Sequence, residues 1–491
     1  MSRDPVGTTK VESVRDERYE LPPGWAWSSL GKIIELKYGK GLPAKSRSLS
    51  GNVPVYGSNG IVGQHNNALT RSPVIIVGRK GSVGEVHISS VPCWPIDTTY
   101  FVDSFPDGLE ATYLFRYLRS QRIRDLDRST AVPGVNRDDL YRVPVPIPSL
   151  NEQRRIVAKI EALFEQSRAA RQALDRIPPL LKKFRQSVLA SAFRGDLTRD
   201  WREEHPDVEP ALALLERVRS APMPHYQGKT KKAKSRGRRL QKRLSDFYPR
   251  DHDTSRLPEL PQSWAWATVE MLASPEPRSI QSGPFGSNLL HSEFQETGIL
   301  AIGIDNVLDG RFNSGSQHRI SQEKYEELKK YTAHPLDVLI TVMATVGRCC
   351  VVPEDVETAI ITKHVYRISV DRALCEPKYL MNVLRGCPAV QEQLHGEIQG
   401  VTRPGINGKI LKGLLVPMAP IEEQRLALSR IESLLTEADD IEAAVVATQR
   451  RADKLDQSIL ARAFRGELAP QDPNDEPACA LLERISRQTS A

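Results

Sequence analysis

VPIPSLNEQR, residues 145–154, returns as VPMAPIEEQR at residues 416–425. Working outward, QSVLASAFRGDL (186–197) reappears as QSILARAFRGEL (457–468), and EPALALLER (209–217) as EPACALLER (476–484). Upstream, LPPGWAW (21–27) matches LPQSWAW (260–266). Matched blocks in the same order, twice, mark an internal duplication. The offset is 239 positions at Trp25 and Trp264 but 271 at Gln153 and Gln424, so the second copy is 32 residues longer between these blocks. Each copy therefore reads as a constant frame around a variable insert.

The inserts read as mixed α/β. SPVIIVGRKGSVGEVHI and DVLITVMATVGRCCVV are β-rich runs bounded by turn residues. A weak echo sets Gly84 against Gly347 and VPGVN (132–136) against RPGIN (403–407). Each insert ends in a Pro-punctuated stretch and then a helix with alternating four- and three-residue apolar spacing. In the first copy Ile156, Ile160, Leu163, Ser167, Ala170, Leu174 and Ile177 carry it; in the second, Ala427, Ile431, Leu434, Ala438, Ile441, Val445, Thr448, Ala452 and Leu455. That period makes a narrow seam suited to another helix. Ser149 and Glu152 predict a capping box, whereas Pro420 stands at the second copy's Ser position. Pro178-Pro179 predicts a break in the first helix, and the second lacks such a pair. Gly195 and Gly466 are expected helix stops. The two seams most simply pair antiparallel, giving a pseudo-twofold molecule; in the alternative, each helix packs on its own domain. The expected class is α+β: two mixed α/β domains separated by two long helices in an antiparallel coiled coil. Expected boundaries are a tail at 1–20, a first insert at 21–149, central helices at 150–220, a basic linker at 221–256, a second insert at 257–420 and C-terminal helices at 421–491. The run 228–243 in the linker is rich in Lys and Arg with no acid. It reads as a solvated tether, with phosphate contact as the other option.

Of 491 residues, 68 are Lys or Arg and 61 Asp or Glu, a net charge of +7, which favours a polyanionic partner. Six cysteines form no CxxC pair, so no zinc site is expected. No apolar run reaches the ~18 residues of a membrane span, and the N-terminus has no signal core, so a cytoplasmic protein is expected. Catalytic motifs are missing: GRKGS (78–82) lacks the upstream glycine of a phosphate loop, and no NPPY-type, HExxH or GxSxG stretch occurs. The sequence thus points to binding without catalysis.

Together the quoted blocks resemble the specificity subunit of type I restriction-modification systems. The resemblance implies that each insert is a target recognition domain reading one half of a bipartite DNA site. It implies that the helices form a spacer and dock two methyltransferase subunits, which bind S-adenosylmethionine and methylate adenine. Motor-nuclease subunits using ATP and magnesium would complete the complex, and this chain would hold no cofactor or metal. Pro420 departs from the pattern and sets the two helix starts apart. Two other readings stay open: a coiled-coil scaffold indifferent to DNA sequence, and an enzyme with a dispersed nuclease site.

The expected DNA-binding residues lie on Gly-flanked polar loops. In the first insert they are Tyr56, Ser58, Asn59, Gln64 and His65 around YGSNG, with Arg79 and Lys80 in GRKGS. Asn and Gln can pair bidentately with adenine and Arg with guanine, while either cation can hold phosphate. In the second they are Gln281, Ser282, Ser287 and Asn288 in QSGPFGSN, then Asn306, Thr345, Arg348, Lys363, His364, Arg403 and Asn407. Plain turn chemistry is the competing reading. Trp25, Trp27, Trp264 and Trp266 sit in constant blocks and read as packing residues. For partner docking the matched positions are Gln153, Arg154, Phe193 and Arg194 in one copy and Gln424, Arg425, Phe464 and Arg465 in the other. For the phenylalanines, an intramolecular core is the alternative.

Overall fold

The computed structural model describes residues 19–48, 50–126, 134–220, 254–285, 288–315, 318–398 and 405–489. Ser287, Arg403, nearly all of the N-terminal tail and most of the basic linker lie outside the described residues. The chain divides into two compact units, Met1–Arg176 with Val445–Ala491, and Ile177–Ala444.

In the first unit, strand Ala26–Ser29 pairs antiparallel with Pro144–Ile147, joining the start of the insert to its end. Between them lies an antiparallel sheet of β1 (Lys37–Tyr38), β2 (Val74–Gly78), β3 (Val86–Ser89) and β4 (Thr99–Val102), in the order β1-β4-β2-β3. Every residue of β2 is buried because both its faces are covered. Ile75 and Val77 pack with Tyr113, Leu114 and Leu118 of the Ala111–Ser120 helix. Val74 and Ile76 face Tyr56, Cys93 and Phe101 beneath a smaller sheet. A strand covered on both faces loses the alternating pattern and reads as a continuous apolar run.

The second unit repeats this plan. Ala265–Thr268 pairs antiparallel with Leu415–Met418. Its sheet has β5 (Ile280–Ser282), β6 (Val338–Thr341), β7 (Cys349–Val351) and β8 (Val365–Ile368) in the order β5-β8-β6-β7. This is the order of the first unit. The repeat offset grows from 244 at Gly39 and Gly283 to 263 at Gly78 and Thr341, so most of the extra length enters between β5 and β6. There the smaller sheet has four strands rather than three, and the helix Gln322–Leu328 is added.

The scaffold consists of α1 (Leu150–Asp175), α2 (Ile177–Phe193) and α3 (Ile421–Phe464). The break at Arg176 lies just ahead of Pro178-Pro179, and α3 runs for 44 residues without interruption, as expected. Ring clash and lost amide donors explain the difference. Within the first unit Arg171 bonds Asp456 at 2.7 Å and Gln449 bonds Asp175 at 2.8 Å, so α1 runs antiparallel to the end of α3. Within the second, Arg185 bonds Asp439 at 2.6 Å and Arg430 bonds Asp200 at 2.6 Å, so α2 runs antiparallel to the start of α3. The seam is narrower than the spacing suggests. Ile156, Ile160, Ala427, Ile431, Ala438 and Val445 are buried, whereas Ala170, Ile441, Thr448 and Leu455 are exposed. A straight helix drifts relative to a strict heptad, and one partner helix covers only a stripe.

Gly195 and Gly466 adopt φ of +82° and +75° just past Phe193 and Phe464, the left-handed stop expected of them. A Cβ on Gly195 would meet Pro261, and one on Gly466 would meet Pro22, at 2.6 and 2.4 Å. The closing helix of each copy thus ends on the opening strand segment of the other. The next helices repeat this: Ala211 N donates to Ser263 O at 2.8 Å, and Ala478 N to Gly24 O at 2.9 Å.

Candidate nucleic-acid interface and scaffold joints

The β2–β3 and β6–β7 hairpins share one frame. Gly84 N donates to Gly78 O, and Gly347 N to Thr341 O, both at 2.9 Å. Gly78 N donates to Glu85 O at 2.8 Å, and Thr341 N to Arg348 O at 2.9 Å. Gly84 and Gly347 both take positive φ, which makes the weak sequence echo a structural one. The second echo holds too: Val135 N donates to Arg79 O, and Ile406 N to Val342 O, both at 3.1 Å. At the sheet edge, Gly39 N bonds Thr99 O at 3.0 Å and Gly283 N bonds Val365 O at 3.3 Å. The frame is constant, but its side chains are not. Arg79 and Lys80 stand where the second unit has Val342 and Met343, and Glu85 where it has Arg348.

Several expected contact residues lie on these open loops. Asn59, Gln64, Lys80, Asn288, Arg348 and Lys363 are exposed; His65, Arg79, Gln281, Ser282, Thr345 and His364 are half-buried. The His65 ring meets Trp94 edge-on at 5.2 Å. His364 Nδ1 lies 3.3 Å from Met343 Sδ, and burial, then the nearby Lys363 charge, holds its pKa below the usual histidine value. Other expectations need correction. Tyr56 is buried in the small-sheet core, and Ser58 Oγ donates to Thr98 O at 2.7 Å. Asn306 is buried; it accepts from Gly303 N and donates to Asn313 O, both at 2.9 Å, bracing its loop. Asn407 is exposed, but its oxygen caps the helix Gly408–Gly413 by accepting from Lys409 N and Ile410 N. Missed in the sequence were Tyr38, which the fold brings to Arg79, and Arg137, which it brings to the same Tyr38 ring.

The docking expectations divide in the same way. Gln153 and Gln424 are fully buried pins. Gln153 accepts from Glu110 N and donates to Gly108 O and Pro148 O. Gln424 accepts from Glu376 N and donates to Leu374 O and Ala419 O. Phe464 packs edge-on against Tyr113 and Tyr117, and Phe193 against Tyr379, so both are core. Arg154, Arg194, Arg425 and Arg465 remain exposed.

Trp25 and Trp264 are buried, as expected of packing residues. Trp264 Nε1 donates to Glu423 Oε2 at 2.8 Å, and Thr198 Oγ1 to Glu423 Oε1 at 2.6 Å; Arg202 completes the cluster. In the first unit Glu152 takes the corresponding place. Burial raises its pKa, and Trp25 and Arg155 partly offset that rise. Ser149 accepts from Glu152 N at 3.0 Å, the forward half of the expected capping box, and also donates to Asp475 at 2.8 Å.

Residues 22–178 match the family model described as the type I restriction modification DNA specificity domain. The similarity to specificity subunits continues over nearly the whole chain. It is 26% identical over 486 residues to the type I restriction enzyme EcoDI specificity subunit of Escherichia coli, covering 96% of this chain and 97% of that protein. Residues 22–178 are thus similar to the type I restriction specificity domain, and the chain as a whole is similar to specificity subunits. The EcoBI specificity subunit of Escherichia coli is 28% identical over 373 residues, covering 74% of this chain and 68% of that one. Among solved structures, a chain from a study of assembly and conformational transition in the type I restriction-modification system superposes with a TM-score of 0.62 at 22% identity. It covers 92% of this chain and 100% of its own. The HsdS subunit from Thermoanaerobacter tengcongensis superposes with a TM-score of 0.52 at 21% identity, covering 92% of this chain and 99% of its own. These likenesses support the fold. Among the described residues, no cluster of metal-ligating side chains occurs and no helix is long and apolar enough to cross a membrane.

Proposed function

We propose that this chain reads an asymmetric, bipartite DNA site, one half through each insert, and carries two methyltransferase subunits on its helices, with motor-nuclease subunits joining through them. The observation that carries the reading is one hairpin frame built twice with different side chains. Equal frames suit two placements on a duplex, and unequal chemistry suits two different half-sites. Lys80, Arg348 and Lys363 supply salt-dependent attraction to phosphate, while Asn59, Gln64, Gln281 and Asn288 are the polar groups able to reach base edges. The helices set the number of base pairs between the halves. S-adenosylmethionine, ATP and magnesium belong to the partner subunits.

For docking, the exposed apolar side chains of the helices replace the buried glutamines and phenylalanines. In the second unit these are Leu180 (60% exposed), Phe184 (41%) and Ile441 (47%). In the first they are Val446 and Leu455. Apolar groups left open on a two-helix surface suit further helices. Arg154, Arg194, Arg425 and Arg465 would form a charged rim. The test exchanges residues 21–149 for the corresponding insert of another family member and maps adenine methylation by the assembled complex. One half of the methylated sequence should change; an unchanged site, or one altered in both halves, would overturn the reading.

A further inference from the structure

Tyr38 lies on the edge strand β1 of the first unit and is 51% exposed, unusual for a side chain held on several sides. Its ring meets Tyr100 edge-on at 5.1 Å. Two guanidiniums lie against it: Arg79, with its central carbon 5.4 Å from the ring centroid, and Arg137, at 5.3 Å. Each also touches a second ring, Arg79 that of Tyr100 at 5.8 Å and Arg137 that of Tyr141 at 5.8 Å. Nε of both arginines is shielded from solvent and, among the described residues, has no hydrogen-bond partner. Among the described residues, neither arginine has a carboxylate within ion-pairing distance. Two cations held by aromatic faces rather than by acids are positioned but not neutralised.

The two arginines differ in what remains free. One terminal nitrogen of Arg79 donates to Asp97 O at 3.1 Å, which anchors that side chain to the loop ahead of β4. Among the described residues no such bond engages Arg137, whose terminal fork is open. Arg137 follows Asn136, which caps the short helix Arg137–Tyr141 by accepting from Asp138 N, so its backbone is fixed as well. A planar fork, fixed at its base and free at its tip, matches the O6 and N7 acceptors on the major-groove edge of guanine.

The second unit keeps the frame and lacks the device. Pairing registers set Tyr38 opposite Tyr100 and Ser282 opposite Tyr366, so Ser282 stands in the tyrosine's place. Val342 replaces Arg79, and Gly408, after the capping Asn407, replaces Arg137. A Cβ on Gly408 would meet the Tyr366 hydroxyl oxygen at 3.1 Å, so the second unit has closed this space.

Resting on the proposed reading of DNA by the inserts, we infer that Arg137, braced by Tyr38 and Arg79, reads a guanine in the half-site of the first unit. Arg79 positions the Tyr38 ring on which the fork rests, and the second unit recognises its half-site without a counterpart. The test uses the complex of the full chain with its methyltransferase subunits. The motif is taken from adenine methylation by the wild-type complex, and duplexes are made with 7-deazaguanine, which lacks the N7 acceptor, at one guanine at a time. One substitution in one half-site should weaken wild-type binding roughly 5- to 100-fold, the range of a lost bidentate pair. Arg137→Ala should bind unmodified DNA weakly by a similar factor, ignore that substitution, and methylate sites relaxed at that one base pair. Arg137→Lys should fail to restore selectivity because a point charge cannot make the paired contact. Tyr38→Ala should relax the same position less completely. Sensitivity to 7-deazaguanine persisting unchanged in Arg137→Ala, or equal weakening on all sequences, would overturn the inference. So would a wild-type complex indifferent to the substitution at every guanine, and that result needs no variant to fold. A wild-type complex methylating without a fixed motif would instead overturn the parent reading.

Discussion

Gln424 separates a docking role from a structural one. Its side chain is fully buried, with bonds of 3.0 Å from Glu376 N, 2.9 Å to Leu374 O and 2.9 Å to Ala419 O. Together these tie the start of α3 to the segment leading into the helix Pro377–Gly386. Gln424→Ala removes all three and leaves one amide and two carbonyls to find other partners. At a net value of about 1 kcal/mol per bond, plus the penalty for groups left dry, the loss is roughly 3–5 kcal/mol. For a unit of this size that corresponds to a fall of roughly 6–20 °C in the midpoint of its thermal unfolding. Two units need not melt together, so the decisive assay is hydrogen exchange followed at the amides of Glu376 and Tyr379. Both should exchange faster in the variant, while amides of β2 in the first unit should not change. Gln424→Glu should recover at most the bond from Glu376 N and not the other two, because an ionised carboxylate offers no donor to the two carbonyls. An Ala variant with wild-type melting and exchange that fails to hold methyltransferase subunits would refute the argument and return this residue to a surface role.

Further expectations follow from other contacts. Gly31→Ala would place a Cβ 2.8 Å from Cβ and Cγ of Tyr141, so it should destabilise the first unit by about 1–3 kcal/mol in thermal unfolding. The second unit has Glu270 there, with Lys412 opposite at 3.5 Å. Asp337 has its pKa lowered overall. Burial acts to raise it, but bonds from His334 and Ser369 and the Arg367 charge outweigh that. A carboxyl with a lowered folded pKa contributes stability above its unfolded value of about 4, and that contribution is lost as pH falls through the folded value. Asp337→Asn should therefore lower stability near neutrality and flatten its acid dependence, read as melting temperature against pH. Phe184→Asp should leave melting within about 0.5 kcal/mol of wild type and reduce co-purification of methyltransferase subunits; full retention of those subunits would remove this part of the helix from the docking surface.

The large features were legible because they rest on spacing. Repeated blocks, the proline pair just past the break and the two stopping glycines depend on backbone rules that act within a few residues. Single-residue roles were harder to read for reasons of direction. Gln153 and Gln424 sit in polar NEQR and EEQR segments that resemble an exposed first turn, yet each lies on the helix face turned to the core, where backbone groups need partners. Tyr56 sits in a Gly-rich loop motif but on the inward side of a strand. Tyr38 and Arg137 are far apart in the chain, and only pairing of β1 with β4 and the loop from 134 onward brings them together. The stretch KYGKG at 37–41 offered a signal, an aromatic between cations beside a glycine, and could have drawn attention to the edge strand.

The exchange of ends between the two copies has a consequence for fragments. A chain stopping within 221–253 would keep the opening segment around Pro22 and Gly24 without the Gly466 and Ala478 pieces that cover it. It would also carry the Gly195 and Ala211 pieces with no Pro261 or Ser263 to receive them. What such a fragment lacks is the same in kind as what it has spare. Two identical fragments could trade these pieces and become a symmetric pair, and a reader built that way would face a palindrome instead of two unlike halves.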